Sequence, residues 1–117
     1  EWMERYPNFV VDTASSRWMA RELSKDTEKS REFIMRYQNR ILFGTDLFAR
    51  KSDDLHYYDG RYVAQRILFE TCERGTPLPF NDADTEDTGG TFINGLDLPE
   101  GVLRKLYWEN AKSFYGV

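Results

Sequence analysis

Histidine and cysteine, on which most compact metal sites depend, are nearly missing: the 117 residues contain one of each, His56 and Cys72. One histidine cannot build a two- or three-histidine metal site within one copy of the chain. One cysteine can form neither an intrachain disulfide nor a Cys-x-x-Cys metal grip, and it suits a reducing compartment, so a cytoplasmic location is expected. No apolar run approaches the roughly 20 residues needed to cross a bilayer. The start, Glu1-Trp-Met-Glu-Arg-Tyr6, is not the charged-then-apolar opening of a signal peptide, so no membrane partner is expected. The missing initiator Met implies that something upstream was removed or never included. No Lys/Arg cluster stands out, and a net charge of -4 gives no general attraction for phosphate backbones, which argues against nucleic acid. A Gly-rich phosphate loop, a Gly-x-Ser-x-Gly elbow and a His-Glu-x-x-His helix are all lacking, which sets those enzyme classes aside. There is no repeat and no low-complexity tract.

What is present suits one ordinary globular domain: 40% apolar, 15% aromatic and 31% charged residues. Asn8-Phe-Val-Val-Asp12 is rich in β-favouring residues, follows a proline and is too short for a helix, so a strand is expected over 8–13. Helices are expected over 15–38, with Trp18, Met19 and Leu23 on one face of the first and Phe33, Ile34 and Tyr37 on one face of the second, broken at Ser24-Lys-Asp26 by capping residues. A second strand is expected over 40–46. Its Ile41-Leu42-Phe43 core is continuously apolar, as a strand covered on both faces of a parallel sheet requires. A helix should follow over 60–74, with Val63, Ile67, Phe69 and Cys72 as its apolar positions. Then come a long loop over 75–98 and a terminal helix over 99–115, capped by Asp97, opened by Pro99 and ended by Gly116. Its expected apolar stripe is Leu103, Leu106, Tyr107, Ala111 and Phe114. The order is βαβα, a long loop and a helix. Two strands alone leave edges exposed, so the fold class is α/β and the chain reads as a piece of a larger fold.

In α/β barrels the working residues sit at the carboxyl ends of the strands. Asp46 is at such an end, in Arg40-Ile-Leu-Phe-Gly-Thr-Asp46. Gly44 lets the backbone turn or another group approach, Thr45 can fix an oxygen, and the carboxylate is then aimed to bind a cation or accept a proton. Its alternative is a plain turn cap. Asp12-Thr13 ends the first strand in the same way and would lie beside Asp46, with local capping as the favoured role. His56 reads as an exposed loop histidine. Arg50 and Lys51 offer a hold for a substrate carboxylate or a solvated basic pair. The run Asp82-x-Asp84-x-Glu86 imitates the start of a calcium loop, but Asp87 stands where glycine is needed and Ile93 where glutamate is needed, so a solvated turn is expected.

The stretches "YPNFVVDTAS", "RILFGTD" and "LDLPEGVLRKLYWENAKSFYG", in that order and spacing, resemble the C-terminal part of the amidohydrolase-related family of metal-dependent hydrolases. That group also includes aminocarboxymuconate-semialdehyde decarboxylase and resorcylate decarboxylases. The likeness covers nearly the whole chain. It implies a distorted (β/α)8 TIM barrel, with Phe9 to Asp12 as the seventh strand and Ile41 to Phe43 as the eighth. It implies a divalent metal, often zinc, that activates water or orients a small-molecule substrate. The reaction would be hydrolysis of a C–N or C–O bond or non-oxidative decarboxylation of a small carboxylic acid. Asp46 then matches the aspartate that binds the metal or its water and serves in proton transfer, the one catalytic and metal residue carried over. Asp12-Thr13 matches a position with no settled role, and Asn110 an asparagine that looks structural. The family's His-x-His pair and its later histidines have no counterpart here, so the isolated chain is expected to be inactive. The competing reading is a non-catalytic interaction or assembly module, self-associating through exposed strand edges.

Overall fold

The computed structural model describes residues 1–49 and 55–117; Arg50 and Lys51, the basic pair considered for a substrate carboxylate, lie outside the described residues. Two strands run parallel, β1 (Val11–Asp12) and β2 (Ile41–Leu42), with Val11 opposite Ile41 and Asp12 opposite Leu42. The Val11 and Thr13 N–H groups extend the ladder by donating to the Arg40 and Leu42 carbonyls. Both strands are shorter than 8–13 and 40–46 because side chains and a helix take over the next backbone groups. The Phe43 N–H donates to the Leu106 carbonyl, and the Gly44 N–H donates to the Thr13 hydroxyl. A short helix, α1 (Trp2–Arg5), precedes β1 and has no counterpart in the sequence reading.

The crossover between the strands holds α2 (Ser16–Leu23) and α3 (Thr27–Arg36). The Asp26 carboxylate caps α3 by accepting the Lys29 N–H at 3.1 Å, which is why the helix restarts there. After β2 comes α4 (Leu55–Glu70). It lies N-terminal of the expected 60–74, and His56 sits exposed in its first turn rather than in a loop. Another segment satisfies carbonyls in its last turn and just past its end. The N–H groups of Gly95, Leu96, Asp97 and Leu98 donate to the carbonyls of Glu73, Leu68, Thr71 and Phe69 respectively.

The segment 75–98 is not structureless. Its arms form an antiparallel pair, β3 (Thr76–Pro77) with β4 (Phe92–Ile93), around a single 3-10 turn at Glu86–Thr88. The expected helix over 99–115 is α5 (Glu100–Arg104), a π-helical turn (Lys105–Glu109) and α6 (Asn110–Tyr115). Asp97 does not cap it. Pro99 holds the N-cap position with no side-chain bond, and Asp97 adopts φ 48°. Gly116, at φ 70°, closes α6 in the left-handed conformation that glycine tolerates.

The π turn has a definite use. It moves the Asn110 N–H from Leu106, its α-helical partner, to the Lys105 carbonyl. The Leu106 carbonyl accepts the Phe43 N–H at 3.1 Å, while the Asn110 Nδ2 donates to the carbonyls of Gln38 at 2.7 Å and Ile41 at 2.8 Å. The C-terminal helix thereby covers the outer edge of β2, and Asn110 is a structural link, whereas β1 pairs with no other strand among the described residues.

One mixed α/β core joins these elements, built on Ala20, Ile34, Ile41, Ala64, Leu68, Phe69, Ile93, Leu96, Leu98, Val102 and Leu106. Several expected faces are rotated. Trp18 is 50% exposed while Ala20 is buried, because α2 packs closely on α4 and only a small side chain fits at that seam. On α4 the inward positions are Gly60, Ala64, Gln65, Leu68 and Phe69, with Val63 exposed and Cys72 past the helix end. In the terminal helix Val102, Leu106 and Asn110 point inward and Phe114 outward, since the π turn shifts the stripe. Ile41 is buried, but Leu42 on the opposite face is only half-buried, so the two-sided cover expected for this run is incomplete.

Gly95 is the position where this packing admits no side chain, because a Cβ would overlap the Thr71 carbonyl oxygen and carbon. Gly95→Ala should therefore push residues 95–98 off the end of α4. A loss of about 3 kcal/mol or more in urea-unfolding free energy is expected; a change below about 1 kcal/mol would mean the close approach is not required.

Candidate functional site

Where β1 and β2 end, a buried side chain ties them together. The Thr13 hydroxyl donates to the Gly44 carbonyl at 3.1 Å and accepts the Gly44 N–H at 3.0 Å. From α4, the fully buried Gln65 carboxamide donates through Nε2 to the carbonyls of Thr13 at 2.9 Å and Gly44 at 2.7 Å. Because both partners are acceptors, the amide nitrogen must face them. The Gln65 Oε1 is then left without a partner in a buried position.

Beyond this tie lies a polar cleft of about 250 Å3. Its lining comes from Ser15 in the turn after β1, the first residues of α2 (Ser16 and Arg17), the turn after β2 (Thr45, Asp46 and Phe48), α4 (Tyr57 and Arg61) and the long connection (Phe80 and Asn81). Two of these residues are non-glycine residues at positive φ, Ser15 at 74° and Asp46 at 58°. Such conformations cost about 1–3 kcal/mol each and concentrate at working sites. Gly44 does not make the turn. It has an ordinary φ, and a Cβ there would meet Ala14 at normal contact distance. The reversal falls on Asp46, whose exposed carboxylate forms no hydrogen bond or ion pair among the described residues. It is not a turn cap.

Asp12 plays the capping part, its Oδ1 accepting the Ala14 N–H at 2.9 Å, and it does not line the cleft. Nor does His56. A larger hollow of about 370 Å3 lies beside β2, between Val10, Leu42 and the C-terminal helix. There Asn110 is committed to backbone carbonyls and Lys105 to the Gln38 side chain, so it is a packing seam.

The acidic run is a turn with Asp84, Glu86 and Asp87 exposed, as expected from its charge, but Asp82 is not solvated. Asp82 is 3% exposed, receives the Thr91 hydroxyl at 2.6 Å and the Asp84 N–H at 3.2 Å, and pairs with Arg21 at 3.2 Å and Arg17 at 3.5 Å. These bonds fix the long connection against α2, on the flank of the cleft. Burial raises the Asp82 pKa, but the Thr91 hydroxyl, the Asp84 N–H and the two arginines outweigh it and leave the carboxyl below its usual value.

Among the described residues no group of three or more His, Cys, Asp or Glu side chains could hold a metal ion. The described residues of the cleft offer one free carboxylate, so a divalent ion does not fit their donor set. Sequence reading passed over Arg17, Arg61 and Gln65. A signal for two of them was available: Arg61 and Gln65 lie four apart on one helix and therefore share a face.

Two outcomes follow from these bonds. Gln65→Leu keeps the volume but removes the Gln65 bond to the Thr13 carbonyl and leaves the Gly44 carbonyl with the Thr13 hydroxyl as its donor, so unfolding free energy should fall by about 1–3 kcal/mol; an unchanged denaturation midpoint would contradict the tie. The lowered Asp82 pKa contributes stability that is present above the unfolded-state value and lost as pH falls through the folded one. Asp82→Asn should be less stable at neutral pH yet show a shallower stability loss than wild type below about pH 4, read from thermal midpoints against pH. Parallel acid limbs for the two proteins would rule out a paired Asp82.

Residues 1–117, the entire chain, match the family model described as amidohydrolase. No curated protein matches the chain. No solved structure matches it either. The small mixed α/β architecture is consistent with a fragment of such a protein. With the match running from the first residue to the last, the chain belongs to the amidohydrolase family.

Proposed function

We propose that this chain is the C-terminal part of a metal-dependent amidohydrolase-type enzyme, a (β/α)8 barrel in which β1 and β2 are the seventh and eighth strands. The reaction is hydrolysis of a C–N or C–O bond, or non-oxidative decarboxylation, of a small-molecule substrate. Three features support this reading. The two strands are parallel and joined by a helical crossover. The cleft lies at their carboxyl ends, where barrel enzymes carry their chemistry. The β2 face at Leu42 is half-covered, as a strand lacking its neighbours would be.

The observation that carries the reading is the Asp46 carboxylate, unpaired among the described residues, at φ 58° on the rim of that cleft. A residue held in a costly backbone conformation with its acid left free is arranged for something other than folding. In this proposal Asp46 accepts a proton at its Oδ atoms and returns it to the substrate, and it provides one ligand of the divalent ion that amidohydrolases typically use. When bound, that ion, commonly zinc, supplies Lewis acidity and lowers the pKa of water. The other ligands come from strands outside this chain, so the 117 residues alone are inactive. The lining of the cleft on this side is polar and charged, which suits a polar substrate.

Replacing Asp46 by Asn in the complete enzyme keeps size and backbone demands while removing the base. Turnover should drop by about 10²–10⁴-fold with an unchanged circular dichroism spectrum. Normal turnover by the Asn variant would remove Asp46 from the mechanism.

A further inference from the structure

Arg61 stands one helical turn after Tyr57 and one before Gln65, with its side chain lining the Asp46 cleft. Its guanidinium carbon lies 4.0 Å from the Tyr57 ring centroid and 4.5 Å from that of Phe80, so two aromatic faces fix the plane of the group. Its Nη1 donates to the Tyr57 carbonyl at 2.7 Å. Among the described residues no carboxylate pairs with it. The contrast with other arginines is informative: Arg17 and Arg21 share Asp82 and Asp84, Arg66 holds Glu70, and Arg104 holds Glu109. Arg61 is half-buried, pre-oriented and without a counter-ion among the described residues, on the wall of a cleft whose free acid follows β2.

We propose that Arg61 is the substrate-reading residue of this cleft, taking the carboxylate of a small organic acid in a bidentate fork while the reacting part of the molecule faces Asp46. The planar guanidinium matches a planar two-oxygen acceptor, and stacking removes the rotation that would otherwise be lost on binding. Phosphate could also accept two such bonds, but a group held rigidly in one plane favours the flat anion. About 250 Å3 accommodates a small molecule and no more. The identification of the reacting end rests on the reading of Asp46 above; the anion fork does not.

The test uses the 117-residue chain and benzoate as probe, with benzamide as the uncharged control and inorganic phosphate as the competing anion. Arginine Nε–H resonances are followed by heteronuclear NMR. Benzoate should shift the Arg61 signal saturably, benzamide should not, and phosphate should bind more weakly. Arg61→Gln should weaken benzoate by about tenfold or more, and Arg61→Lys, which keeps the charge but loses the fork, should lose most of the affinity too. Asp46→Asn should leave benzoate binding in place. No saturable shift at Arg61, or undiminished binding in Arg61→Gln, overturns the proposal; phosphate binding as tight as benzoate overturns the carboxylate assignment. If Arg61→Gln does not fold, the wild-type titration and Arg61→Lys decide. Benzoate binding at Arg61 alongside an active Asp46→Asn enzyme would sink the Asp46 reading and leave the anion site standing. No binding alongside an inactive Asp46→Asn enzyme would do the reverse.

Discussion

The Gln65 carboxamide holds two backbone carbonyls, those of Thr13 and Gly44, which lie just past the ends of β1 and β2. A two-residue parallel pairing supplies too few ladder bonds to fix its own ends. The ends of β1 and β2 are fixed by the Thr13 hydroxyl and Gln65 instead, and both cleft-forming turns start from that fixed point. Ser15 and Asp46 can then sit at positive φ, because the residues just before them are held by buried hydrogen bonds. The same helix carries Arg61 one turn earlier, so the register that buries Gln65 also places Arg61 on the cleft wall.

Helix α4 is fixed at its far end by another set of backbone bonds. The N–H groups of Leu96 and Leu98 meet carbonyls of its last turn and those of Gly95 and Asp97 meet carbonyls just past its end, and Arg31 from α3 donates to the Leu96 and Asp97 carbonyls of the same segment. Asp82, through Arg17 and Arg21, ties the middle of the long connection to α2. A segment rich in glycine, asparagine and aspartate is thus held at two separate places, which is how Phe80 reaches the Arg61 guanidinium and completes the cleft.

How much of this could be read from the chain depends on whether a residue's role is local. The break at Ser24–Asp26 was legible because Asp26 bonds a backbone N–H three residues away, and the Gly116 stop because glycine tolerates a left-handed φ. Asp12 read correctly as a local cap for the same reason. The face of α4 was misread because its inward set includes a glycine, an alanine and a glutamine, chosen by close packing on α2 and by carbonyls 52 and 21 residues away. Asp82 was misread because two of its partners, Arg17 and Arg21, are more than sixty residues distant, so its burial leaves no local trace. The cleft itself was half legible: Asp46 is marked by its place after an apolar run, while the cation beside it depends on where α4 begins.

The continuous apolar run at Ile41-Leu42-Phe43 anticipates neighbours on both sides, and the structure meets that demand unevenly. On the β2 side the Leu106 carbonyl and the Asn110 amide occupy the Phe43 N–H and the Ile41 carbonyl, the groups that a neighbouring strand would use. Closing a sheet there requires the terminal helix to give up those two bonds to a strand that offers two in return, an exchange of like for like whose net energy is small. The β1 side carries no such substitute, since β1 pairs with β2 alone among the described strands. Gaining a strand at β1 satisfies open backbone groups and covers apolar surface with nothing displaced, so the energetic gain from further sheet lies at that edge. The π turn therefore has a definite physical meaning: it lets a helix do for one edge of β2 what the next strand does in a continuous sheet.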